Sequence, residues 1–209
     1  MERVLGGCPK LKETVAVFPS FYWANISSYT DHKVPDRTIS SLKSRLRNLN
    51  FFIICKSNHY FLIYARLRSK VIGFYDPKNL FRLFGLWNKV RDLFHLAGYK
   101  IDKWRQLEES HHPQGDSLNC GMFVIGRIFE LIAFPECSQT KFLEKTMPQF
   151  RDWAFKVGTG KGHPVSTISD LFHEDGSPNF ELKANDSPSF KTPVRRGRPS
   201  GLPIFVGID

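Results

Sequence analysis

The stretch "HHPQGDSLNCGMFVIGRIFELI", His111 to Ile132, is polar as far as Asn119 and almost wholly apolar from Cys120 onwards. Between Asn119 and Phe134 the only charged residues are Arg127 and Glu130. A helix that is apolar nearly all round has other elements packed about it, so the stretch reads as a central, buried helix opening on a cysteine. Gly121 follows that cysteine and Gln114 stands six residues ahead of it.

Upstream lies the clearest β signal. "FFIICK" at Phe51 to Lys56, "HYFLIYARL" at His59 to Leu67 and "KVIGFYDP" at Lys70 to Pro77 are short aromatic and β-branched runs punctuated by "SN" and "RS", as adjacent antiparallel strands require. "NLFRLFGLWNKVRDLFHLAGY" then puts Leu80, Leu83, Phe84, Trp87, Val90 and Phe94 on one helical face and stops at Gly98. "KIDKWRQLEE" alternates as a further strand, and "TKFLEKTMPQFRDWAFKV" gives an amphipathic helix bent or restarted at Pro148. Towards the N-terminus, "TVAVFPSFYWANISSY" is a buried segment, and a short basic helix from Ser40 carries Leu42, Leu46 and Leu49.

A chain of 209 residues holds one domain with a sizeable core plus a tail. The expected division is a folded domain over residues 1–157 and a Gly/Pro/Ser-rich, largely disordered tail over 158–209. The tail carries six basic and six acidic residues, so the whole net charge of +10 belongs to the folded part. Such a surface suits an acidic partner, either nucleic acid or protein, although surplus basic residues also serve solubility alone. With no signal-peptide pattern and no membrane-length apolar run, an intracellular, nuclear or nucleocytoplasmic location is expected. Cys8, Cys55, Cys120 and Cys137 are widely spaced, so zinc and dithiol redox sites are not indicated. His111 and His112 with Cys120 supply too few ligands at metal spacing, and His32, His95, His163 and His173 have no partner identifiable in the sequence.

Cys120 stands at a helix start, where unpaired N–H groups and the helix dipole favour a thiolate. Asn119 or Ser117 is placed to cap that helix, and Gly121 leaves room for a substrate backbone beside the sulfur. A nucleophilic thiol needs a base, and the base an orienting group. His59 heads one expected strand and Asp76 ends the next, so a short connection brings both to one sheet edge. Gln114 and the Cys120 N–H are candidate donors to an oxyanion. Singly, each residue has a plainer reading: a buried inert thiol, a strand-end histidine, a turn aspartate and a solvated loop amide.

Taken in order, "SFYWANIS", "NHYFLIYARLRSKVIGFYDP" and "QGDSLNCGMFV" resemble the ubiquitin-like protein protease family, the sentrin/SUMO-specific cysteine proteases. The resemblance runs from about Thr14 to Phe155. It implies an α+β, papain-like/adenain-like fold, with a short mixed or antiparallel sheet packed against the central helix. It also implies Cys120 as nucleophile, His59 as base, Asp76 as orienting carboxylate and Gln114 as oxyanion donor, with Tyr60, Asn119 and Gly121 lining the substrate channel. The implied reaction cleaves after the Gly-Gly terminus of a SUMO-like modifier, in a monomer, without metal or organic cofactor. Tyr60 stands where the family usually has tryptophan, Asn119 where aspartate is common, and the N-terminal part of the domain is abbreviated.

Adenovirus-type and transposon-encoded maturation proteases share the order His, acid, Gln, Cys and are the alternative. A second is an inactive nuclear binding module: "RRGRPSG" resembles the core of an AT-hook, which would set Arg195, Arg196 and Arg198 in a minor groove. The plainer reading of this run is a solvated basic tail or part of an import signal. A hook requires that deleting residues 190–209 weaken affinity for A·T-rich duplex and flatten its salt dependence. A solvated tail leaves both unchanged in the same titration.

Overall fold

The computed structural model describes residues 9–27, 34–109, 114–115, 119–135, 140, 144–159, 172–173 and 177–178. Its elements are α1 (Pro9–Thr14), β1 (Val15–Phe18), α2 (Ser20–Ser27), α3 (Asp36–Arg45), β2 (Leu49–Lys56), β3 (His59–Arg66) and β4 (Val71–Tyr75). A 3-10 turn (Leu83–Leu86), α4 (Trp87–Leu96), β5 (Arg105–Glu108), α5 (Cys120–Ala133), a second 3-10 turn (Glu144–Thr146) and α6 (Met147–Thr159) complete them. The strands form one mixed sheet in sequence order, with β2, β3 and β4 antiparallel and the two outer strands parallel to their neighbours.

Both faces of the sheet are covered, which is why its central strands read as nearly continuous apolar runs. On one face Phe51, Leu62, Tyr64 and Tyr75 pack on Phe123, Val124 and Ile128 of α5 and on Phe150 and Trp153 of α6. On the other, Phe18, Phe52, Ile54, Phe61, Ile63 and Phe74 meet Trp23 of α2, Leu42 of α3 and Val90, Leu93 and Phe94 of α4. Aromatic contacts run through both layers, including a Phe18–Phe52 stack and a Phe150–Trp153 stack. The architecture is the α+β arrangement expected from the sequence.

Several local details differ. The expected helical face is formed only in part: Leu83, Val90 and Phe94 are buried, but Leu80 and Phe84 are 63% and 90% exposed, and α4 begins only at Trp87. The cause is Asp76, whose carboxylate accepts the backbone N–H groups of Lys78 and Phe81 and so holds the chain in a non-helical course to Arg82. Gly98 does stop the helix, at φ +92°, with its N–H on His95 and that of Tyr99 on Phe94. The basic helix starts at Asp36 rather than Ser40, and Leu49 belongs to β2. Phe21, inside the segment expected to be buried, is 63% exposed. Pro148 lies in the first turn of α6, where a missing N–H costs nothing, so it opens the helix rather than bending it. Beyond residue 157, Phe172 is buried against Phe134 in the α5 core. The "RRGRPSG" run lies outside the described residues, as does most of the expected disordered tail. No helix among the described residues is long and apolar enough to cross a membrane.

One glycine is demanded by packing. Gly73 sits opposite Tyr64 across the β3–β4 pair, and a Cβ there would fall 1.9 Å from the Tyr64 ring. Gly73→Ala is therefore expected to lower stability by about 1–3 kcal/mol through overpacking. Urea denaturation checks this, and Tyr64→Leu in the same chain should recover part of the loss.

Candidate active site

His59 begins β3 directly after a two-residue turn, Ser57 and Asn58, both at positive φ. Such a turn matches the twist of paired strands and fixes their register. One step beyond the Leu62–Tyr75 pair of β3 and β4, Asp76 falls diagonal to His59 at the end of the sheet. Its Oδ1 lies 2.6 Å from His59 Nε2, and both residues are buried. Asp76 is itself held, since Oδ1 also accepts the Lys78 N–H at 2.8 Å and Oδ2 the Phe81 N–H at 2.8 Å. An ionised carboxylate only accepts, so Nε2 carries the proton, an arrangement that in the neutral imidazole leaves the lone pair on Nδ1. Nδ1 is buried and has no hydrogen-bond partner among the described residues. An imidazole oriented by a carboxylate, with its other nitrogen open among the described residues, is thereby built into the sheet edge.

Phe81 closes the outer side. Its ring lies 6.1 Å from the His59 imidazole at 21°, and the Lys56 ammonium stands 5.2 Å from the same ring. Residue type and spacing do not mark this position, because Phe81 sits in the run read as helix and its backbone N–H is drawn to Asp76 beside the imidazole.

Cys120 opens α5 and is buried, and α5 packs along β3. Tyr60, next to His59, lies against Gly121, next to Cys120: a Cβ on Gly121 would meet the Tyr60 ring at 3.6 Å. The two segments are thus neighbours. That spacing is ordinary van der Waals contact, so among the described residues nothing crowds Gly121. Tyr60 is 36% exposed. Its hydroxyl pKa is raised, first by the Cys55 thiol opposite it on β2, then by partial burial and by Cys120.

Gln114 is buried, and its N–H donates to the Pro77 carbonyl at 2.7 Å, which sets it beside the turn after Asp76. Asn119 occupies the cap position of α5, but its side chain does not cap the helix. Instead its Oδ1 accepts from Arg151 of α6 at 3.2 Å. Ser117, the other expected cap, lies outside the described residues. Met122 and Arg151 also line an open apolar cleft of about 650 Å³ with Asp152, Ala154 and Phe155. His95, without an evident partner in the sequence, faces Asp102 at 3.4 Å on the surface.

No protein-family model matches the sequence, and no curated protein matches it. Solved structures do. The SUMO protease Ulp1, with its catalytic cysteine oxidized to a sulfenic acid, superposes with a TM-score of 0.58 at 16% identity, over 77% of this chain and 74% of that one. This chain has the Ulp1 protease fold. The C-terminal Ulp1 protease domain in complex with SMT3, the yeast ortholog of SUMO, matches with a TM-score of 0.55 at 14% identity, over 75% of this chain and 72% of that one. The mixed five-stranded sheet flanked by helices is common ground with the adenain-like architecture expected from the sequence.

Asp76 is the structural keystone of this edge, which separates its fold role from any chemistry. Asp76→Ala strands two backbone N–H groups and is expected to cost about 1–3 kcal/mol in urea denaturation. Asp76→Asn keeps an acceptor oxygen and should cost visibly less.

Proposed function

We propose that the chain is a cysteine peptidase cleaving after the C-terminal Gly-Gly of a SUMO-like modifier, in precursor processing or deconjugation. The observation that carries this reading is the buried His59–Asp76 pair, with Nδ1 open and Nε2 held at 2.6 Å, in a fold that also sets a cysteine at the start of α5. The SMT3 complex of a chain with the same fold supports a modifier of that kind as the substrate, and a basic surface suits an acidic one.

In this mechanism Nδ1 of His59 takes the Cys120 proton, and the sulfur attacks the carbonyl carbon of the terminal glycine. Asp76 stabilises the resulting imidazolium through Nε2–H without itself taking the proton. The Cys120 N–H and the Gln114 side-chain amide hold the oxyanion. Collapse breaks the C–N bond, the leaving amine takes the proton from His59, and a thioester remains. Water, deprotonated by His59, then attacks the thioester and releases the modifier's carboxylate and the thiol. Tyr60 covers the substrate tail, and Gly121, with no side chain of its own beside the thiol, lets a narrow glycine backbone pass.

The test is hydrolysis of fluorogenic C-terminal amides of SUMO-like and ubiquitin-like modifiers. Turnover is expected for the parent and none for Cys120→Ala, whereas His59→Ala should lower kcat/KM by about 10²–10⁴-fold. Undiminished turnover by Cys120→Ala would overturn the assignment. A parent that ignores every modifier but cuts a Gly-containing viral-type peptide is instead a maturation protease, and one that cuts neither is the inactive binding module.

A further inference from the structure

The two charges of α5 do not face water. Arg127 and Glu130 are among the most deeply buried residues of the chain, at 0% and 1% exposure, while Met122, Ile125 and Ile132 of the same helix are half-buried. Arg127 makes a two-pronged contact with Glu109, Nε to Oε2 at 2.6 Å and an Nη to Oε1 at 2.8 Å, and its other Nη reaches Glu130 Oε2 at 3.0 Å. The Tyr64 hydroxyl of β3 donates to Glu109 Oε1 at 2.8 Å. Burial opposes the guanidinium charge, but Glu109 and Glu130 outweigh it and raise the Arg127 pKa. Burial, then Glu109, pushes the Tyr64 phenol up, and burial, then Glu130, does the same to Tyr75.

Such a trio contributes little to stability, because desolvating three charges cancels most of their attraction. Its geometry is more telling. Glu109 follows β5 and starts the segment that carries Gln114 and ends at Cys120. Its N–H is fixed on Phe74 of β4 and that of Gln114 on Pro77, two residues beyond β4, so both residues are tied to the end of that strand. The Arg127–Glu109 fork ties Glu109 to α5. Tyr64 joins β3, the strand that begins with His59, to the same carboxylate. The elements carrying base, oxyanion donor and nucleophile therefore meet at one fork, whose paired bonds fix direction as well as distance. Arg127 is seven residues, two turns or about 10 Å, along the helix from Cys120, too far to touch a reacting atom.

We infer that Arg127 is a positioning residue, which through Glu109 sets the Gln114 segment against the helix start that bears the thiol. This rests on the peptidase reading above, in which Gln114 and Cys120 act together. The experiment compares the parent with the uncharged variant Glu109→Gln/Arg127→Met/Glu130→Gln in urea denaturation, in modifier-amide hydrolysis and in alkylation of Cys120 by iodoacetamide. The variant is expected to fold, and to lose about 10- to 100-fold in kcat with KM within about twofold, as misplaced reacting groups do. Alkylation needs no oxyanion donor, so its rate should stay at the parent's. If the triple variant does not fold, Arg127→Lys, which keeps the charge and loses the fork, carries the same expected fall in kcat. A folded variant with the parent's kcat, or with a rise in KM alone, overturns the inference. A parent without turnover overturns the peptidase reading instead, and the parallel assay tells the two apart.

Discussion

The hydrogen bond from His59 Nε2 to Asp76 Oδ1 can form only if β3 and β4 pair in one register, since a slip of one residue would turn His59 or Asp76 to the other face of the sheet. Much of the architecture enforces that register. The positive-φ turn at Ser57 and Asn58 sets where β3 begins, the Tyr64–Gly73 pairing admits no other neighbour for a ring lying across β4, and burial on both faces penalises any shift. Asp76 then ends the strand, takes two backbone N–H groups and deflects the chain away from a helix, which brings Phe81 over the imidazole. Strand pairing, turn chemistry and the candidate base are thus one constraint.

Against that edge, the second half of the site is set from the far side of the sheet. The apolar stripe of α5 docks on Phe51, Leu62 and Tyr64, and its buried Arg127 reaches Glu109 at the end of β5. Apolar packing locates the helix, while the directional fork ties Glu109, just past β5, to it. A chain that buries three charged groups for this purpose gains orientation more than stability.

Much of this was legible in the sequence because the signals were local. The three central strands, the helix opening at Cys120 and the stop at Gly98 follow from residue type and period alone. His59 and Asp76 could be placed at one edge because a short strand pair has few ways to fold. Most of what escaped depended on contacts between distant residues. Leu80 and Phe84 have helical spacing, but the nearby Asp76 carboxylate draws the Lys78 and Phe81 amides into a turn, a local competition that apolar spacing does not register. Arg127 and Glu130 were visible as the only charges on an apolar helix, but Arg127's second partner, Glu109, lies 18 residues upstream, just past β5. Asn119 has the composition of a cap, yet Arg151, 32 residues away, takes its oxygen.

The proposed chemistry turns on one cysteine acting as nucleophile at this edge. A SUMO-like modifier bearing a C-terminal electrophile, reacted with the parent protein and located by peptide mapping, measures it directly. A single adduct on Cys120 is expected, formed much more slowly in His59→Ala. An adduct on Cys55, the exposed thiol near Tyr60, or labelling of Cys120 that is indifferent to the loss of His59, would contradict it.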